Sequence, residues 1–214
     1  MSRHPDFVPQ GVIPAVLLPF NEDLSIDEPS FRAHLRDVGA VQGLSAITIN
    51  AHSTEVASCT QDEQLRVMEI TGQEVGDALP IIHGVWADGS LEAARIARQA
   101  QVGGASALLV FPPAPFTLGQ SAEMVLAHFK TIGDATDLPL IVFQYPLATG
   151  QGYPARHGIQ VNGHWSCRIS SRNCGFQLAL LRRVLTLPLR LLARTRPRAK
   201  RRTAAMFFAP WPVR

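Results

Sequence analysis

The stretch PIIHGVWADGSLEAARIARQAQVGGASALLVF, residues 80–111, decides how the chain folds. It opens on the apolar run PIIHGV and closes on the apolar run SALLVF, each of strand length. Between them Ala93, Ile96, Ala97 and Ala100 recur at helical spacing and make one apolar stripe, with Ser90 placed to cap its start. Strand, helix, strand over this length is a βαβ unit, whose two strands run parallel in one sheet.

Outward from this stretch the pattern repeats. VIPAVLLPF (12–20) is a continuous apolar run, the mark of a strand buried on both faces. Phe31, Leu35 and Val38 then recur at helical spacing behind a cap at Asp27. LSAITIN (44–50) is the next strand, and Thr60-Gln61-Asp62-Glu63 reads as a capping box with Leu65 and Met68 on the inner face of its helix. On the other side, a helix is expected over roughly 121–132, followed by the strand LPLIVFQY (138–145). Strands therefore start near 12, 44, 80, 106 and 138, about 25 to 35 residues apart, the rhythm of an α/β fold with a parallel sheet. An open doubly wound sheet and a (β/α)8 barrel both use it. No G-x-G-x-x-G follows the first strand and no G-x-x-x-x-G-K-[ST] occurs, which disfavours the nucleotide-binding version.

Composition narrows the classes. The 214 residues, 46% of them apolar, suffice for one ordinary domain or most of a larger one. No apolar run reaches about 18 residues, so no membrane partner is expected. The start MSRHPDFVPQ lacks the apolar centre of a secretory signal. Cysteines at 59, 167 and 174 give no disulfide framework, and a cytoplasmic setting is the default expectation. Cys167, Cys174 and His164 match no standard zinc spacing, so no metal is expected, and no organic cofactor is implied.

The net charge of +3 hides a reversal. All 17 acidic residues lie at or before Asp137, against seven basic ones, a net of −10; the last 77 residues hold 13 basic and no acidic ones, +13. In that later part FQLALLRRVLTLPLRLLAR reads as a short basic amphipathic helix up to Pro188, and TRPRAKRRTAA as disordered.

Polar side chains for chemistry should sit at the carboxyl ends of the strands. There Asn50-Ala51-His52-Ser53-Thr54-Glu55 is the most polar cluster, suited to a small carboxylate or keto oxygen, or simply a turn whose hydroxyls satisfy its own backbone. The ordered set GVIPAVLLPF, NAHSTE, CTQDEQ, IIHGV, GGASALLVFPP and LPLIVFQYP resembles the dihydrodipicolinate synthase / N-acetylneuraminate lyase family over roughly residues 8–154.

That resemblance implies a (β/α)8 barrel, usually a homo-oligomer. It also implies a lyase reaction in which a lysine on the sixth strand forms a Schiff base with pyruvate or another 2-keto acid. The imine is an electron sink for the neighbouring carbanion, and the lysine must be desolvated to be neutral. Carried over residue by residue, Ser53 falls where a hydroxyl holds the keto-acid carboxylate, and His52 replaces a hydroxyl of the proton relay. The strand-five tyrosine falls on Phe143, and Tyr145, two residues on and on the same side of the strand, is the candidate substitute. The tyrosine after strand four falls near Ala114 and is missing.

The lysine is missing too: the chain has only Lys130, on the helix before strand five, and Lys200, in the Arg-rich part. The sequence thus reads as a partial TIM (β/α)8 barrel of about five βα units (1–154), lacking its Schiff-base lysine and inactive. An Arg-rich, acid-free, partly disordered tail (155–214) follows, an out-of-frame continuation on this reading. The alternatives are a non-catalytic keto-acid binder and a basic tail that binds nucleic acid, the latter partner not favoured. Five strands would leave the first and last unpaired at the rim, and such edges should drive association.

Overall fold

Parallel pairing of the apolar runs organises the protein in the computed structural model, which describes residues 2–145 and 152–153, with the backbone of short strands at 160–161, 165–166 and 177–183. Strands β1 (Ile47–Ile49), β2 (Ile81–Val85), β3 (Ala107–Val110) and β4 (Leu140–Gln144) lie in that order, each parallel to the next. The register pairs Ile47 with Ile81, His83 with Leu108 and Leu109 with Ile141. The run 12–20 takes the expected first place beside β1, but as separate parallel bridges, Val12 to Leu44 and Ala15 to Thr48, rather than a full ladder. Pro14 and Pro19 lack the N–H that a ladder needs. Backbone bonds from Ser45 to Val12 O and from Thr48 to Pro14 O, at 3.0 and 2.8 Å, still hold the run in place.

Helices α1 (Glu28–Gly39), α2 (Gln61–Glu74), α3 (Ser90–Gly103) and α4 (Ala122–Gly133) cross between the strands. Asp27 caps α1 by accepting from the Ser30 N–H, and Phe31 and Leu35 are buried. The capping box of α2 is present: Thr60 N–H donates to Glu63 Oε2 at 2.7 Å and Glu63 N–H to Thr60 Oγ1 at 3.3 Å.

Two expectations on these helices need correction. Met68 is buried as expected, but Leu65 is exposed, and Gln64, Val67, Ile70 and Thr71 turn inward in its place. Gln64 can be buried because its amide donates to Cys59 O at 3.2 Å. Ser90 does not cap α3; Gly89 holds that position without a side-chain bond, and the Ser90 hydroxyl pairs with His128 Nδ1 at 2.9 Å. The expected stripe of Ala93, Ile96, Ala97 and Ala100 is buried.

Because successive strand residues face opposite ways, the sheet has two apolar layers. Ile47, Ile49, Leu108, Val110, Leu140 and Val142 pack against the helices. Ala46, Ile82, Ala107, Leu109, Ile141 and Phe143 form a separate cluster with Ile13 on the inner face.

After β4 the order changes. β5 (Gln160–Val161), β6 (Trp165–Ser166) and β7 (Gln177–Arg183) are antiparallel, and β7 pairs with β4, Leu140 against Leu181 and Gln144 against Gln177. The helix expected across 177–183 is therefore a strand, and the edge expected to be free on β4 is taken. An unpaired edge offers a row of N–H and C=O groups that a nearby chain can satisfy, and this requirement overrides a helical apolar spacing. The remainder of that helix and TRPRAKRRTAA lie outside the described residues. Among the described residues no helix is long and apolar enough to cross a membrane.

Replacing Thr60 by Ala removes one half of the α2 capping box and should lower stability by about 1 kcal/mol. Urea unfolding monitored by circular dichroism measures it; an unshifted midpoint would show that the cap contributes nothing.

Candidate functional site

At the carboxyl end of β1 the chain reverses through Asn50, whose φ of 48° lies in the left-handed region that asparagine tolerates better than most residues. A single 3-10 turn, His52–Thr54, follows and closes on Glu55, also left-handed at φ 53°. The turn is held from below. Asn50 Nδ2 donates to Gln64 O at 2.9 Å and to His83 Nε2 at 2.8 Å. His83 Nδ1–H donates in turn to Gly84 O at 2.7 Å, so its ring is a neutral Nδ1–H tautomer. Burial pushes the His83 pKa down to about 4.

Gly84 allows the approach: a Cβ there would stand 1.9 Å from the Asn50 carbonyl oxygen. Thr54 is buried and its hydroxyl donates to Val16 O at 3.1 Å, so this hydroxyl serves the fold. His83 and Gly84, placed by sequence among the strand ends, brace the turn in the same way.

His52 points the other way, onto the inner face. Its Nε2 is hydrogen bonded to the Tyr145 hydroxyl, across 93 positions of sequence. Tyr145 follows β4 and stands beside Phe143 with ring centroids 4.9 Å apart, on the same side as expected. Trp86, Phe111 and Phe143 surround the imidazole at centroid distances of 5.0, 4.5 and 5.8 Å. Burial lowers the pKa of His52 and pushes that of Tyr145 up to about 12. At neutral pH both groups are uncharged, and the phenol, the better donor, gives its hydrogen bond to Nε2.

Ser53 lies on the same turn, half-buried, and among the described residues no side chain or backbone group bonds its hydroxyl. Lys130 is exposed on α4 and ion-paired with Asp134, as a solvated surface charge would be. Lys200, Cys167, Cys174 and His164 lie outside the described residues. Among the described residues no cluster of His, Cys, Asp and Glu is placed to hold a metal ion.

Sequence reasoning missed Trp86 and Phe111. Both continue a strand's inner-facing register past its last paired residue: Ile82, Gly84 and Trp86 on β2, and Ala107, Leu109 and Phe111 on β3. Counting by twos beyond the strand end would have found them.

The family model described as the dihydrodipicolinate synthetase family matches residues 8–156. A 4-hydroxy-tetrahydrodipicolinate synthase of Gluconacetobacter diazotrophicus is 34% identical over 137 residues, 64% of this chain and 45% of the relative. Among solved structures, a chloride-inhibited dihydrodipicolinate synthase of Acinetobacter baumannii complexed with pyruvate superposes with a TM-score of 0.61 at 26% identity, covering 68% of this chain and 48% of that one. A structure described as the first monomeric dihydrodipicolinate synthase variant gives the same TM-score at 25% identity, over 69% and 48%. The chain spans about half the length of the curated relatives it matches. Its described part is a partial (β/α) barrel.

The buried histidines make stability depend on pH. His83 and His128 both have pKa values lowered from 6.5 to about 4 by burial. Between those values the unfolded chain binds more protons than the folded one, so stability is full above about pH 6.5 and is lost as pH falls towards 4. Each group accounts for roughly 3 kcal/mol over that interval. Urea midpoints that stay level from pH 7 to 5 would contradict this. The Gly84→Ala variant should be destabilised by at least about 3 kcal/mol at every pH, since the backbone of the turn must move away.

Proposed function

The chain belongs to the dihydrodipicolinate synthetase family, and from that premise we propose that residues 1–154 form the 2-oxo-acid-binding part of a lyase site of the family's type. The observation that carries the reading is the hydrogen bond between His52 Nε2 and the Tyr145 hydroxyl at the carboxyl end of the strands. In the resemblance the proton relay falls on His52 and on Phe143, two residues before Tyr145. His52 takes the place of a hydroxyl, and Tyr145 takes over from the position now held by Phe143. The two uncharged groups hold a transferable proton next to one another. His52 can accept it at Nε2 from Tyr145 and release the one on Nδ1, which is the task of a relay.

Ser53 is the carboxylate-holding residue on this reading, its hydroxyl free to donate. The ligand is a small 2-oxo acid, with pyruvate the simplest, bound at about millimolar affinity because half a barrel leaves it wet. Among the described residues no lysine stands at the strand ends to form the imine. Lys130 is exposed and paired with Asp134, where nothing desolvates its ammonium. The charge reversal between Asp137 and Arg156 supports a boundary after residue 154.

Two measurements on the full chain separate the parts of the proposal. Adding pyruvate should shift the NMR signals of residues 50–55 and 145, and shifts that miss them would end the binding reading. Pyruvate with borohydride should leave no saturable mass adduct on Lys130 or Lys200. A stoichiometric adduct abolished by Lys→Ala at either position would show that the chain performs the covalent step.

A further inference from the structure

The inner face at the strand ends is built of rings, and we infer that it selects 2-oxo acids carrying an aromatic or bulky apolar group. This rests on the reading of His52, Ser53 and Tyr145 as the oxo-acid-binding groups and concerns the rest of the ligand. Around His52 stand Trp86, Phe111 and Phe143 within 6 Å, and the rings also touch one another: Trp86–Phe111 at 5.8 Å and Phe111–Phe143 at 4.6 Å. The contacts are tilted or edge-on, the arrangements in which aromatic groups attract, and a ligand ring lying against the layer would meet the same edges and faces.

The polarity of this wall decides the substituent. Below the rings the face is apolar at Ile82, Leu109 and Ile141, with the buried hydroxyl of Thr48 on the same side. Among the described residues no arginine, lysine or carboxylate is buried. A substituent rich in hydroxyls or charge would lose its water here and find no partner, which costs more than an apolar pocket can return. A phenyl or branched alkyl group gains on the same transfer, in proportion to the area it buries.

The rings are not all closed off. Phe111 and Phe143 are buried, whereas Trp86, Tyr145 and His52 are only partly buried. The layer therefore opens at its Trp86–Tyr145 lip, above the polar pair. A ligand whose carboxylate lies on Ser53 and whose keto oxygen faces the His52–Tyr145 pair would direct its third carbon towards this lip. Trp86 is the specificity-determining residue on this geometry: it is the largest ring of the layer and only partly buried.

Calorimetric titration of the full chain with pyruvate, phenylpyruvate and phenylacetate tests the inference. Phenylpyruvate should bind at least about tenfold more tightly than pyruvate, and phenylacetate, which lacks the keto group, more weakly than phenylpyruvate. Trp86→Leu keeps the lip apolar and removes the ring, and should bring the ratio of phenylpyruvate to pyruvate affinity down to about threefold or less. The wild-type ratio tests the inference independently of how well the variant folds. Pyruvate binding with no preference for phenylpyruvate would overturn this inference and leave the oxo-acid site standing. Equal binding of phenylacetate and phenylpyruvate would overturn it as well, by showing that the keto acid is not what is selected. Absence of binding by all three would overturn the oxo-acid reading itself, and this inference with it.

Discussion

A parallel sheet must be covered on both faces, and every other feature of this protein follows from meeting that requirement twice over. Each crossover helix covers one face: Phe31 and Leu35 of α1, Val67 and Ile70 of α2, Ile96 and Ala97 of α3, Phe129 and Ile132 of α4. Among the described residues no helix covers the opposite face, which packs its own alternate residues against one another, from Ile13 and Ala46 to Ile141 and Phe143. The two clusters are distinct, and the strands are the wall between them. Small residues at Ala46 and Ala107 and large ones at Leu109, Phe111 and Phe143 fill the inner side unevenly, with the bulk at the carboxyl ends.

This unequal filling places the candidate site. A turn that leaves β1 with an ordinary backbone would run out over the helices. The left-handed Asn50, its amide shared between Gln64 O and His83, and the missing side chain at Gly84 bring the turn over the sheet instead. His52 then enters the ring layer and meets Tyr145. The histidine that holds the turn and the histidine that faces the rings are both kept neutral by burial, but for different ends. His83 accepts a hydrogen bond from Asn50, and His52 accepts one from Tyr145.

The edge of β4 shows the same covering requirement acting on the backbone. Five parallel strand positions and four helices do not close a barrel, and the open edge is met here by β7 running antiparallel. An antiparallel partner needs no crossover helix, so a segment with no βα rhythm can still satisfy the ladder. The chain changes from alternating strands and helices to antiparallel strands within the region where its charge changes sign.

Sequence by itself determined the parallel α/β core: the runs at 44–50, 80–85, 106–111 and 138–145 became strands, and Asp27 and the Thr60–Glu63 box capped the helices expected of them. These are local effects, a periodicity and a nearest-turn hydrogen bond, and a short window of sequence contains them. His52, Ser53 and Tyr145 could be singled out by their place at the strand ends. Their relation could not, since the bond between His52 and Tyr145 spans 93 positions and exists only when β1 and β4 stand in one wall. Tertiary structure alone decided that Ser90 would serve His128 instead of its own helix, because a hydroxyl takes whichever partner burial brings to it. It also decided that residues 177–183 would extend rather than coil. The helical spacing of their leucines is a weak local preference, and an open sheet edge supplies a row of backbone partners that no isolated segment can foresee.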